Sequence, residues 1–142
     1  MNIAPYISLR EYACKCCDGL PVDLYGTDGL VAYPYGAFFE MFRQIRLQFG
    51  NPITINCGFR CPMHNAAVGG ERCSEHLWGL AMDLACPDEG GVNKLVEVIN
   101  QVQPDLRVGI YTRKANFVHI GVGYLIRPRM TSAWSVGVRW YG

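Results

Sequence analysis

The sequence predicts an α+β fold, a small and mainly antiparallel sheet flanked by helices. Three observations carry this. Phe38, Phe42, Ile45 and Phe49 recur at spacings of three and four, the stripe of an amphipathic helix. Leu80, Met82 and Leu84 alternate with Ala81, Asp83 and Ala85, and Val118, Ile120 and Val122 alternate with Phe117, His119 and Gly121. That period of two marks strands with one face in a core. Helical and strand patterns are interspersed, with hairpin-like pairing toward the C-terminal end, which favours antiparallel pairing.

Taken in order, residues 1–33 form a leader rich in turn residues, expected to be irregular and packed on a single domain spanning 1–142. Within it Ser8 with Glu11 three residues on can cap a short helix. A helix is predicted over 35–49, ended by Gly50 and Asn51-Pro52. Residues 53–55 read as a short strand. The turn Cys57-Gly58-Phe59-Arg60-Cys61-Pro62 leads into a short helix around 63–67, and Val68-Gly69-Gly70 into a flexible loop. The strand of 79–86 follows. Asp88 and Glu89 precede a helix over 92–103, where negative charge is favoured, with Val92, Leu95, Val96, Ile99 and Val102 on its apolar side. Residues 107–111 and 117–122 read as a strand pair joined by a basic turn, and 136–141 as a last strand. Arg127 and Arg129, around Pro128, read as a solvated turn.

Composition narrows the function. Half of the 142 residues are hydrophobic and 18% are charged, which suits a folded core. A net charge of +1 gives no reason to expect nucleic acid as the partner. No run of about 18 apolar residues exists, so no membrane span is expected. The first residues lack a basic region and a long apolar stretch, so synthesis in the cytoplasm without a signal peptide is expected. A monomer is expected. Seven cysteines, an odd number, argue for reduced thiols rather than a disulfide framework. Cys14, Cys16 and Cys17 can supply part of a second, structural zinc site. They lack the paired C-x-x-C spacing of common zinc modules, and that favours buried or free thiols.

The chemistry gathers at Ser74-Glu75-His76-Leu77-Trp78-Gly79-Leu80-Ala81-Met82-Asp83 and Phe117-Val118-His119. If the two alternating strands are neighbours, Asp83 and His119 share the face away from the core, and His76 closes over it from the preceding loop. Two imidazoles and a carboxylate are a donor set for catalytic zinc. On spacing alone, two surface histidines and a surface aspartate explain the pattern equally well. Trp78, Trp134 and Trp140 are assigned to core or cleft wall. His64, in the short helix after Arg60, is assigned a structural or surface role.

The run Cys57-Gly58-Phe59-Arg60-Cys61-Pro62, then His64-Asn65, Val68-Gly69-Gly70, Ser74-x-His76-x-x-Gly79-x-Ala81-x-Asp83 and Phe117-Val118-His119-Ile120 resembles the M15 family of zinc peptidases. These are D-alanyl-D-alanine carboxypeptidases and related peptidoglycan-cleaving enzymes, with a fold shared with the hedgehog signalling domain. The chain looks most like the short members common in phages and prophages. The resemblance covers nearly all of it and implies one catalytic Zn2+ held by His76, Asp83 and His119. It implies Arg60 beside the active site, holding substrate, and Ser74 near the metal as a substrate contact or a loop-shaping residue. It implies peptidoglycan peptides as partners, and action on the cell wall after release or delivery.

The general base does not transfer by motif. Some members carry Glu three residues before the last ligand, where this chain has Asn116. Others carry His two residues before it, where this chain has Phe117. Many short phage members have Asp two residues after it, where this chain has Gly121. Glu75, Glu71, Asp88 and Glu89 are nearby in sequence, and Glu75 is the catalytic candidate among them. Tyr111 is a candidate for stabilising an oxyanion. The leading expectation is a zinc-dependent peptidase cutting peptidoglycan stem peptides at or near D-alanine, as a carboxypeptidase or a cross-bridge endopeptidase, in a lysis or wall-degrading role. The alternative is a non-catalytic, zinc-stabilised module that binds wall peptides or a partner. A cysteine-based redox protein, which needs reactive thiols, ranks last.

Overall fold

The structure is a computed structural model, and it describes residues 1–126 and 134–142; the turn expected at Arg127 and Arg129 lies outside them. The chain forms an α+β fold. Two short strands, β1 (Asn2–Ala4) and β2 (Ile7–Ser8), pair in a hairpin that runs into α1 (Leu9–Tyr12). Helix α2 spans Tyr35–Phe49 and β3 spans Thr54–Cys57. Helix α3 is Pro62–Ala67, β4 is Ala81–Ala85 and α4 is Glu89–Val102. The chain then forms β5 (Arg107–Tyr111), β6 (Phe117–Gly121) and β7 (Arg139–Tyr141).

The main sheet has the order β3-β4-β6-β5-β7. Its pairs are antiparallel except β5 with β7, which is parallel. Register explains the two faces. Met82 lies opposite Ile120 and Ile120 opposite Val108, while Leu84, Val118 and Ile110 make the next row. These six are buried with Phe38, Phe42 and Ile45 of α2 and with Val92, Leu95 and Ile99 of α4. The intervening row, Cys57, Asp83, His119, Gly109 and Trp140, runs straight across all five strands on the other face.

Local chemistry sets the element ends. Ser8 Oγ accepts from Glu11 N–H at 3.2 Å and Glu11 Oε2 accepts from Ser8 N–H at 3.2 Å, a complete capping box. Helix α2 stops at Gly50, whose φ of 81° is left-handed. Asp88 caps α4 by accepting from Gly91 N–H at 2.8 Å. That bond draws the helix start back to Glu89, three residues before the apolar stripe begins. Val98 is buried in α4, whereas Val96 and Val102 sit at the edge of the core. In the leader Ile7, Tyr12, Cys14 and Leu24 are buried. Among the described residues, no helix is long and apolar enough to cross a membrane.

Candidate active site

Asp83 and His119 face each other as direct partners on β4 and β6. Residues 74–79, expected as a loop, form a 3-10 turn over Glu75–Trp78. Ser74 Oγ caps it by accepting from His76 N–H at 3.2 Å, and Gly79, with φ of 70°, ends it. Too short to show a helical period in the sequence, this turn swings His76 over the sheet. Ser74 therefore shapes the loop.

Two histidine nitrogens meet one carboxylate oxygen. Asp83 Oδ1 lies 3.1 Å from His76 Nε2 and 3.0 Å from His119 Nδ1. The outward nitrogens are tied elsewhere. His76 Nδ1 meets the Gly58 carbonyl at 2.7 Å, and His119 Nε2 meets Glu75 Oε1 at 3.2 Å. Each ring thus has an anchoring acceptor on one nitrogen and a lone pair for the shared point on the other, the arrangement expected around metal-bound histidines. Burial opposes charge on His76, but Asp83 and the neighbouring Cys57 outweigh it and raise the group to about 9. Burial also opposes the Asp83 carboxylate, yet hydrogen bonds from His119 and His76 hold it well below the usual carboxylate range. The residues fit a metal ion.

Cys57, His76 and Asp83 also lie close enough to share an ion. The approach of Cys57 is from the wrong side. Its Sγ is 3.6 Å from His76 Nδ1, the nitrogen already bound to Gly58 O, and it accepts from Arg60 Nε–H at 3.1 Å. His119 Nδ1, on the same Asp83 oxygen, lies on the side of His76 Nε2 instead.

Glu75 is the residue whose place the sequence concealed. It is buried beneath His119, where Oε2 accepts from Gly123 N–H at 2.7 Å and Oε1 lies 3.1 Å from Arg107 Nε. Burial works against its charge, but the bond from His119, the Gly123 amide and Arg107 keep it below the usual range. Gly121 makes the room, since a Cβ there would overlap the Glu75 carboxylate. Sequence alone offers one signal for this: the glycine directly follows the apolar core residue Ile120 in a strand, where a close approach by another group is a standing reason for glycine.

Arg60 stands at the rim. Its Nη2 is 3.6 Å from Asp83 Oδ2, and its Nη1 donates to Asn65 Oδ1 at 3.2 Å. Buried Asn65 donates in turn to the Glu71 carbonyl at 2.9 Å. Tyr111 stacks on Phe117 at 4.3 Å, and its hydroxyl accepts from Trp140 Nε1–H at 2.9 Å. A Cβ on Gly109 would come within 2.7 Å of Trp140, so that glycine lets the indole lie beside His119. Trp134 is buried and donates to the Cys73 carbonyl at 3.1 Å. Trp78, expected in the core or a cleft wall, is 39% exposed and lines a smaller cleft beside Tyr35. His64 sits in α3, away from these groups.

The site opens into a cleft of ≈ 660 Å³. Among the described residues its carboxylates are Glu71, Glu75 and Asp83, with Arg60 and Arg107 as its cations. Asp88 and Glu89, at the start of α4, do not line it.

A mainly antiparallel sheet carrying two histidines and an aspartate on its open face, beside an arginine-rimmed cleft, is the arrangement of a class of proteins able to hold a metal ion above a sheet. Residues 16–121 match the sequence profile described as Peptidase M15. No curated protein matches the chain. The chain belongs to the Peptidase M15 family, which makes it a peptidase.

Proposed function

We propose that this chain is a zinc-dependent peptidase that hydrolyses peptidoglycan stem peptides at or near D-alanine, in a lysis or wall-degrading role. The observation that supports it most is the meeting of His76 Nε2 and His119 Nδ1 at Asp83 Oδ1, with the outer nitrogens held by Gly58 O and Glu75. Ligands about 2.05 Å from a tetrahedral ion stand about 3.3 Å apart, close to the 3.0 and 3.1 Å found here. A bound zinc ion supplies a water with a pKa near about 7 and polarises the scissile carbonyl.

The chain's own residues supply the rest. The Gly58 carbonyl fixes His76 as the tautomer with its lone pair on Nε2, and Glu75 does the same for Nδ1 of His119. Arg60, steadied by Asn65, offers a guanidinium at the rim for a terminal carboxylate or the substrate carbonyl. Tyr111 receives the Trp140 N–H and keeps its own O–H for a developing oxyanion. Of the cleft carboxylates, Asp83 is a ligand and both Glu75 oxygens are engaged. That leaves Glu71 to take the proton from the attacking water and pass it to the leaving amine.

The test is zinc-dependent cleavage of purified peptidoglycan with mass analysis of the products. His119→Ala and metal-free protein should be inactive. Glu71→Gln should lower turnover by about 10²–10⁴-fold while retaining the metal. Release of terminal D-alanine would define a carboxypeptidase, and separation of cross-linked dimers an endopeptidase. Fully zinc-loaded protein that cuts none of several wall types would overturn the reading in favour of a wall-peptide-binding module.

A further inference from the structure

A second cluster of ligand atoms lies outside the cleft chemistry. The Sγ atoms of Cys14, Cys16, Cys17 and Cys61 all lie within 4.8 Å of one another. Cys16 Sγ is 3.6 Å from Cys14 Sγ and 3.5 Å from Cys61 Sγ. Four sulfurs about 2.3 Å from a tetrahedral zinc are about 3.8 Å apart, whereas a disulfide needs about 2.05 Å. We propose that Cys14, Cys16, Cys17 and Cys61 hold a structural zinc ion.

Cys14 and Cys17 are spaced C-x-x-C, and local structure gathers Cys16 and Cys61 to them. The chain from Cys14 turns back on itself: Asp18 N–H donates to Cys14 O at 2.8 Å, and Cys14 N–H to Gly19 O at 2.9 Å. Asp18 takes a left-handed φ of 57° to close the loop. Gly19 leaves room for the Cys17 sulfur, because a Cβ there would come within 3.1 Å of it. The fourth sulfur comes from the N-cap of α3. Backbone amides point at the cluster as well. Cys61 N–H donates to Cys14 Sγ at 3.4 Å, and His64 N–H donates to Cys61 Sγ at 3.4 Å. Amide donors of this kind stabilise thiolates and orient them around an ion. With four protein ligands the site is closed, which suits a structural ion rather than a second reaction centre.

The position gives the ion a task. Cys61 directly follows Arg60, and Cys14 lies two residues after Tyr12. The Tyr12 carbonyl accepts from Phe59 N–H at 2.7 Å, and its hydroxyl donates to Gly79 O at 2.8 Å. An ion at the cysteines would therefore lock the leader to the segment carrying Arg60, beside the turn carrying His76. Each thiol entering the site gives up its proton to solvent, and no electron is transferred.

The test uses the full chain, purified under reducing conditions. Zinc analysis should find two ions per chain, falling to one in Cys61→Ser and in Cys16→Ser. Cys73→Ser, an exposed cysteine outside the cluster, should retain both. Cobalt substitution gives a readout independent of activity and of those variants. The wild-type protein should show thiolate-to-cobalt charge transfer with strong tetrahedral bands, and His76→Ala should retain that signal. Failure of the peptidase reading thus leaves this signal in place, and loss of the signal leaves the peptidase reading in place. The proposal is overturned if the reduced wild-type protein shows no thiolate-to-cobalt absorption, or if mass analysis finds Cys16 joined to Cys61 in zinc-saturated protein.

Discussion

At the scale of single residues, the proposed metal triad and its supports differ in how far the sequence exposes them. Asp83 and His119 are legible because period two puts them on one face, and a shared face becomes a shared site once β4 and β6 pair. Glu75 is not. Its carboxylate, read from sequence as a candidate base, lies under His119 and accepts from Gly123, a role set by two residues more than forty positions away. Glu75→Gln should therefore weaken zinc binding by about 10–100-fold, measured by competition with a chromophoric chelator; unchanged affinity would remove Glu75 from the positioning role. His76 carries a pH prediction. Its folded pKa of about 9 lies above the unfolded value of about 6.5. The charged ring in metal-free protein then contributes stability that is fully present below pH about 6.5 and is lost as pH rises through about 9. Urea midpoints of chelator-treated protein should fall across that window, and the fall should shrink in His76→Ala. A profile identical in the two proteins would contradict the assignment.

At the scale of elements, helices α2 and α4 and the strands β4, β5 and β6 follow from apolar periodicity, since each buries one face in the core. What escapes is governed by short-range geometry or by distant partners. The β1–β2 hairpin has only five paired-strand residues in total, too few to show a period. The 3-10 turn of Glu75–Trp78 is fixed by the Ser74 cap and by Gly79 rather than by hydrophobic pattern. The parallel pairing of β7 with β5 depends on where the chain returns, which no local pattern encodes. Gly121 tests how tightly an element is built around the site. A methyl group there meets the Glu75 carboxylate, so Gly121→Ala should destabilise the protein by about 1–3 kcal/mol and weaken zinc binding as well. Urea denaturation and metal titration would check both, and an effect on neither would show that Glu75 has room to move.

At the scale of the whole molecule, the sheet separates two tasks. One face buries the apolar side chains of α2 and α4, and the other presents the row from Cys57 to Trp140. The open face draws its groups from segments far apart in sequence, around residues 57–61, 74–83 and 117–119, and these must be held in register. The leader performs part of that work through Tyr12, which is fully buried, packs edge-on against Phe39 and bonds both Phe59 N–H and Gly79 O. Two substitutions separate its contributions. Tyr12→Phe keeps the ring and leaves the buried Gly79 carbonyl without its donor, a cost of about 1–3 kcal/mol. Tyr12→Ala also empties the space the ring fills, a cost of about 3–5 kcal/mol by analogy with other large aromatic truncations. If the leader is a working part of the site, Tyr12→Phe should lower zinc affinity along with stability, because the freed Gly79 end lets the His76 turn shift. Stability lost with zinc affinity intact would instead make the leader a cover for the core, with the metal-binding face holding its own register.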